Sequence, residues 1–131
     1  MATTTSPYRL LIDGSWVDGE DGSYPVINPA TEEVVADAPE ASEHDALAAA
    51  AAARRAQPGW ARTSPQERSA LLQAVADRVR EEAASLLPLI IAETGATLSV
   101  GSALQVPMVA NRFERYAKGA LTDLTMALPP S

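Results

Sequence analysis

The sequence contains no cysteine, which removes thiolate nucleophiles, thiolate metal sites and disulfide frameworks together. It has a single histidine, His44, so metal clusters built on His and Cys are excluded by composition. Large side chains are scarce, with one Phe, two Trp and three Tyr in 131 residues. Much of the 47% hydrophobic content is alanine, which makes helix readily but fills little volume. The expected core is thin for a free-standing domain, and the chain is expected to need a neighbour. Basic residues are few and unclustered, and a formal charge of −7 argues against nucleic acid and anionic membrane surfaces as partners. No stretch reaches the roughly 18 apolar residues of a membrane span, and the opening MATTTSPYRL has neither the basic start nor the apolar run of a signal peptide. A cytoplasmic setting is the default expectation.

What the sequence does contain is centred on Ser64–Gly95. Ser64 reads as an N-cap, Pro65 falls where a missing N–H costs nothing, and Glu67 can reach back to complete a capping box. Apolar residues follow at Leu72, Ala76, Val79, Ala83, Leu86 and Ile90, with Leu71, Val75, Leu87 and Ile91 widening the stripe. That spacing makes one buried helical face. Gly95 offers the left-handed residue that ends many helices. Pro88 splits the stretch, giving helices over about 65–82 and 85–94 with Pro88 in the first turn of the second.

Before this stretch, residues 1–7 read as a loose Thr/Ser-rich tail. Arg9–Ile12 and Ser15–Val17 flank Asp13-Gly14, and Tyr24–Asn28 and Glu33–Ala38 flank Pro29-Ala30-Thr31-Glu32. Both read as hairpins forming a small antiparallel sheet over one end of the helices. Ser42-Glu43-His44-Asp45 is another capping box and opens a helix to about Gln57, where Pro58-Gly59 stops it. Arg54 and Arg55 then suit the negative end of its dipole. Trp60 stands in the connection as a packing anchor. After Gly95 a helix is expected from about Ser99 to Gly119, with Val106, Val109, Ala110, Phe113, Tyr116 and Ala117 on one face and a bend or late start imposed by Gly101 and Pro107. Residues 121–131 read as the beginning of something the chain does not contain.

No motif has catalytic spacing. His44 lies among acids in a helix's first turn and reads as a solvated residue, and the pairs Glu32-Glu33 and Glu81-Glu82 fall on turn and helix surfaces. Seven scattered glycines form neither the dinucleotide nor the P-loop spacing. The serines lack a base partner. On composition alone the chain is not a self-sufficient enzyme.

The order of elements nevertheless resembles the N-terminal part of an aldehyde dehydrogenase. The resemblance rests on Ile12-Asp13-Gly14-Ser15-Trp16-Val17, on Val26-Ile27-Asn28-Pro29-Ala30-Thr31-Glu32-Glu33-Val34, and on Ala51-Ala52-Ala53-Arg54-Arg55-Ala56 leading to Trp60. It continues through Ser64-Pro65-Gln66-Glu67-Arg68 and Leu71 to Glu93-Thr94-Gly95. Five motifs in order, across roughly residues 9–118, agree with one another. The resemblance implies an α/β family fold, of which this chain supplies two short β-hairpins and about four helices, the outer layer of the cofactor-binding domain over residues 8–120.

Family enzymes oxidise aldehydes to carboxylic acids with NAD or NADP. They use a cysteine thiolate, an oxyanion hole that includes an asparagine, and a glutamate base that activates water. The resemblance places all of these, and the dinucleotide contacts, beyond this chain. No residue here therefore takes a catalytic or cofactor-binding role, and Asn28 and Asn111 match neither the position nor the context of the oxyanion asparagine. In some members this region binds a structural monovalent cation. The matching positions are the Ile27 carbonyl and the side chain of Glu93, where the family often has Asp. Gln105 replaces a usual acid, and Ala96-Thr97 a usual Lys-Pro. Phe113 and Tyr116 fall on a helix that approaches the substrate tunnel in complete enzymes, although core packing is their simpler role.

The chain alone is accordingly expected to be inactive and to bind no cofactor. Its expected partner is the remainder of an aldehyde dehydrogenase or a homologous subunit. The competing reading is a non-catalytic interaction module, or a split subunit, that docks on such a partner through an uncovered apolar face.

Overall fold

The computed structural model describes residues 8–123 and 125. Along them run β1 (Leu10–Ile12), β2 (Ser15–Val17), β3 (Ser23–Ile27), β4 (Val34–Pro39), α1 (Glu43–Ala61), α2 (Pro65–Glu81), α3 (Ala83–Thr94), α4 (Leu98–Val100), a π-helical segment (Gly101–Gln105) and α5 (Val106–Gly119). Two short hairpins followed by helices is the arrangement the sequence implied. The expected tail at 1–7 lies outside the described residues, as does the end beyond Thr125. Contacts divide the described residues into two units, 8–62 with Leu89–Ala96, and Thr63–Pro88 with 97–123 and 125.

In the first unit, Asp13 and Gly14 take φ of 52° and 77°, the paired positive values of a tight hairpin turn. They set the register Leu10↔Val17, Leu11↔Trp16, Ile12↔Ser15. Alternation then leaves Leu11 and Trp16 exposed on one face and Leu10, Ile12 and Val17 half-buried on the other. β3 pairs with β4 antiparallel, with a bulge between Val26 and Ile27. The two hairpins form separate two-stranded sheets and not the single sheet expected. The linking residues explain the separation, because they are held elsewhere. Asp21 N–H donates to the Glu40 carbonyl, and a Cβ added to Gly19 would lie 2.1 Å from that same oxygen. β2 is thereby prevented from lying beside β3.

α1 begins at the expected capping box but runs through Pro58 to Ala61. The proline removes one bond, to the carbonyl of Arg54, at an exposed position that water can reach. Arg54 and Arg55 consequently sit inside the helix and its last turn has no basic residue. Arg55 instead pairs with Asp13 at 3.0 Å. Trp60 falls in the last helical turn, 45% exposed, and not in a connection.

In the second unit, α2 carries the full capping box. Ser64 Oγ accepts from Glu67 N–H at 3.1 Å, and Glu67 Oε2 accepts from Ser64 N–H at 2.7 Å. α2 packs on α5. The buried Ala76, Ala110 and Ala117 have side chains small enough to let two backbones approach closely. Arg80 crosses to Glu114, which also takes Lys118 at 2.8 Å. The Lys118 and Arg80 bonds hold the Glu114 carboxyl below the usual range. Leu72 and Val79 are half-buried as the stripe required, while the widening residues Leu71 and Val75 are 53% and 40% exposed.

α3 starts at Ala83, two residues ahead of expectation, and Pro88 lies inside it and not in its first turn. The interruption between α2 and α3 falls at Glu82, whose N–H still bonds the Arg78 carbonyl. Gly95 closes α3 at φ 67°, its N–H on the Ile91 carbonyl at 2.9 Å. The expected bend in the last helix is the π segment. Val106 N–H reaches back to the Gly101 carbonyl, and Pro107, with no N–H, follows immediately. The stripe turned inward is Val106, Ala110, Phe113 and Ala117, whereas Val109 and Tyr116, also expected there, are 43% and 66% exposed. Among the described residues the buried apolar side chains are Ala52, Ala76, Val106, Ala110 and Ala117, and none is larger than valine. The core is as thin as the alanine content implied.

Candidate functional site

Two constellations of polar groups lie in the first unit. One is the junction of the β3–β4 turn with the end of α3. Asn28 builds the turn. Its N–H donates to the Glu33 carbonyl at 2.9 Å, its carbonyl accepts from Glu32 N–H at 2.8 Å, and its Oδ1 accepts from Ala30 N–H at 2.9 Å. Glu32 takes φ 61°. With its side-chain oxygen committed to the turn, Asn28 is a structural residue. Pro29 then meets the helix end, since a Cβ added at Gly95 would lie 2.7 Å from Pro29 Cγ. Only a glycine fits this approach without displacing the proline.

Ile27 and Glu93 stand two residues before Pro29 and Gly95, so this contact draws their segments together. Ile27 adjoins the bulge that disturbs the ladder. Glu93 is exposed and forms no ion pair or side-chain hydrogen bond with any described residue. The neighbouring Thr94, also exposed, bonds back to its own helix, its Oγ1 donating to the Ile90 carbonyl at 2.6 Å. A backbone carbonyl and a carboxylate are both hard oxygen donors, suited to an alkali or alkaline-earth cation.

The second constellation was not foreseen as a cluster. Glu20, His44 and Asp45 each bring a ligand-type atom within 4.8 Å of the others. Asp45 is buried, and its Oδ2 accepts from the N–H groups of Glu20 and Ser42, both at 3.0 Å. These two bonds hold its carboxyl below the usual range, the Glu20 N–H first. Glu20 accepts from Ser42 Oγ at 2.8 Å and lies 2.8 Å from His44 Nδ1, and these contacts, Ser42 first, lower its carboxyl likewise. The capping box was legible from spacing. Glu20 was not, because it joins from 22 residues upstream of Ser42. The bonds spend the acids on the helix start and clip the 18–22 turn to it, which is an architectural task. His44 is an exposed ring held by one carboxylate.

In the second unit, Glu81 and Glu82 are both paired with Arg78, at 3.3 and 2.6 Å. Asn111 only touches Arg80 at 3.5 Å. Phe113 is half-buried in the α5 stripe and Tyr116 exposed beside it. Gln105 Oε1 is a buried acceptor with no donor among the described residues.

Residues 16–129 match the model of the aldehyde dehydrogenase family. The chain is 37% identical over 111 residues to a 3,6-anhydro-alpha-L-galactose dehydrogenase from Vibrio sp. strain EJY3, covering 84% of this chain and 23% of that protein. Among solved structures, an NAD-dependent benzaldehyde dehydrogenase from Corynebacterium glutamicum aligns with TM-score 0.79 at 32% identity, over 92% of this chain and 25% of its own. A betaine aldehyde dehydrogenase from Staphylococcus aureus, in complex with NAD+, aligns with TM-score 0.84 at 31% identity, over 90% and 24%. The chain thus spans about a quarter of the length of the relatives it matches. With the family model covering most of its residues and solved members aligning over about nine-tenths of it, this chain belongs to the aldehyde dehydrogenase family.

Proposed function

We propose that the chain is the N-terminal portion of an NAD(P)-dependent aldehyde dehydrogenase, the outer layer of its cofactor domain, and that by itself it is inactive. The observation that carries this is a family match over residues 16–129 in a sequence without cysteine. The scaffold is present and the thioester-forming nucleophile of the family is not. Use of NAD is supported by the NAD-dependent and NAD+-bound neighbours. The partner on this reading is the remainder of the enzyme or a homologous subunit, in a cytoplasmic setting. A graft tests it. Residues 8–120 of this chain, exchanged for the matching segment of the Corynebacterium benzaldehyde dehydrogenase, should leave NAD-linked benzaldehyde oxidation in place. A soluble, cofactor-binding graft with no turnover would count against the scaffold role.

A second element of the proposal is a monovalent cation held between the Ile27 carbonyl and Glu93. Its support is the Pro29–Gly95 contact and a carboxylate without a protein partner among the described residues. A split subunit acting in trans is the alternative reading, supported by the apolar residues left exposed on α2, α4 and α5, among them Leu71, Leu98, Met108 and Val109. It predicts that the chain restores activity when added to an aldehyde dehydrogenase from which the matching segment has been deleted.

A further inference from the structure

The cluster at the start of α1 has more donor atoms than its capping bonds use. Asp45 is 6% exposed, and the N–H groups of Glu20 and Ser42 both donate to its Oδ2, with Ser42 Oγ also 3.2 Å from that oxygen. Oδ1 is left without a donor among the described residues. Glu20 divides its oxygens in the same way, because Oε2 accepts from Ser42 Oγ at 2.8 Å while Oε1 lies 2.8 Å from His44 Nδ1. The helix start thus occupies one oxygen of each acid and leaves the other free to face an imidazole.

The capping bonds then act on these acids as an outer shell acts on metal ligands. Backbone N–H groups and a hydroxyl fix how each carboxylate points. Among the described residues neither acid is paired with Arg or Lys, and His44 is the basic group that faces them both. Two carboxylates held this close repel one another, and a cation between them and the ring relieves the repulsion. All three side chains come from residues 20–45 of the first unit, so the donor set is closed within one compact part of the chain. It is separate from the Ile27 and Glu93 pair.

The donors restrict which ion fits. One imidazole nitrogen with two carboxylate oxygens suits a first-row transition ion, whereas calcium and magnesium take oxygen alone. The 2.8 Å between Nδ1 and Oε1 narrows the choice further. With metal bonds of about 2.1 Å it subtends an angle of about 84°. That is near the right angle between neighbouring ligands of an octahedron and well short of the tetrahedral angle usual for zinc. We infer that Glu20 Oε1, His44 Nδ1 and Asp45 Oδ1 form one face of a six-coordinate site for a divalent ion of the nickel or cobalt class, with water at the remaining positions. The ion takes the place of the hydrogen between Nδ1 and Oε1, and the neutral ring carries its proton on Nε2.

The test uses the full 131-residue chain without an added tag, in which one histidine and no cysteine confine imidazole ligation to a single place. Calorimetric titration with nickel chloride should give one ion per chain, and a tenfold excess of magnesium chloride should not displace it. His44→Ala and Glu20→Gln, both at exposed positions and checked for unchanged helicity, should each weaken nickel binding by at least about tenfold. Asp45 stays intact because it caps α1, and Glu93→Gln should leave the nickel affinity as it was. In proton NMR, substoichiometric cobalt(II) should broaden the His44 ring resonances before those of any other aromatic ring. The inference is overturned by any of four results: no saturable nickel binding, full affinity in either variant, displacement by magnesium, or broadening that begins at another ring. Metal binding is read without aldehyde oxidation, so its failure is distinct from failure of the graft.

Discussion

Gly95 makes the sharpest prediction, because two separate penalties meet there and two other glycines isolate each of them. Its φ of 67° costs an alanine about 1–2 kcal/mol. The added Cβ would also lie 2.7 Å from Pro29 Cγ, an overpacking of the kind that costs about 1–3 kcal/mol. The sum for Gly95→Ala is about 2–5 kcal/mol. Gly14, at φ 77° with nothing within 4 Å, carries only the backbone penalty. Gly59, inside α1 with open space around it, carries neither, so Gly59→Ala should stabilise by about 0.5–1 kcal/mol. Trp16 and Trp60 both lie in the first unit with Gly95, so tryptophan fluorescence during urea unfolding reads the relevant part of the molecule. Pro29→Ala removes the Cγ and should reduce the cost of Gly95→Ala to that of Gly14→Ala, a coupling of about 1–3 kcal/mol in the double-mutant cycle. The reasoning fails if Gly95→Ala costs no more than Gly14→Ala, or if its cost survives in the Pro29→Ala background.

Acid should loosen the clip at the start of α1. The folded-state carboxyls of Glu20 and Asp45 are lowered, so in acid the unfolded chain binds more protons and stability rises with pH. Their contribution is complete above the ordinary carboxylate values near 4 and is lost as pH falls through the lower folded values. Ser42→Ala should cost about 1 kcal/mol at neutral pH and flatten the acid limb of the stability profile, and an unchanged limb would contradict the clip. Gln105→Met removes a buried acceptor that lacks a donor, and should raise the thermal midpoint by an amount worth about 1 kcal/mol. A lowered midpoint would mean that Oε1 has a partner. If Ile27 and Glu93 hold a cation, sodium or potassium chloride should stabilise the chain more than tetramethylammonium chloride at equal ionic strength, and Glu93→Gln should abolish the difference. Equal stability in the three salts would remove the cation from the account.

The elements most legible in the sequence were those fixed by local chemistry. The two capping boxes, the Asp13-Gly14 turn and the Gly95 helix end are each decided within a few residues, and each appears where the sequence put it. Motif order carried the family assignment in the same way. Prolines were read less well. Pro58 and Pro88 are both tolerated inside helices because a proline removes a single bond, and a helix continues wherever its remaining bonds hold. The separation of the hairpins depends on Gly19 and Glu40, which are brought together by folding and have no signature in either segment. Glu20 joins the Ser42–Asp45 box for the same reason. Val109 and Tyr116 are exposed because they lie on one flank of the Val106–Ala110–Phe113–Ala117 stripe, and the packing of α5 on α2 covers the middle of that face and not its flank.

The most direct measurement is aldehyde-dependent reduction of NAD+ and NADP+ by the purified chain, with benzaldehyde and betaine aldehyde as substrates. The account predicts no turnover above the protein-free rate, because a family member without cysteine has no thiolate to form the thioester. Turnover by the pure chain that increases in proportion to its concentration would contradict it.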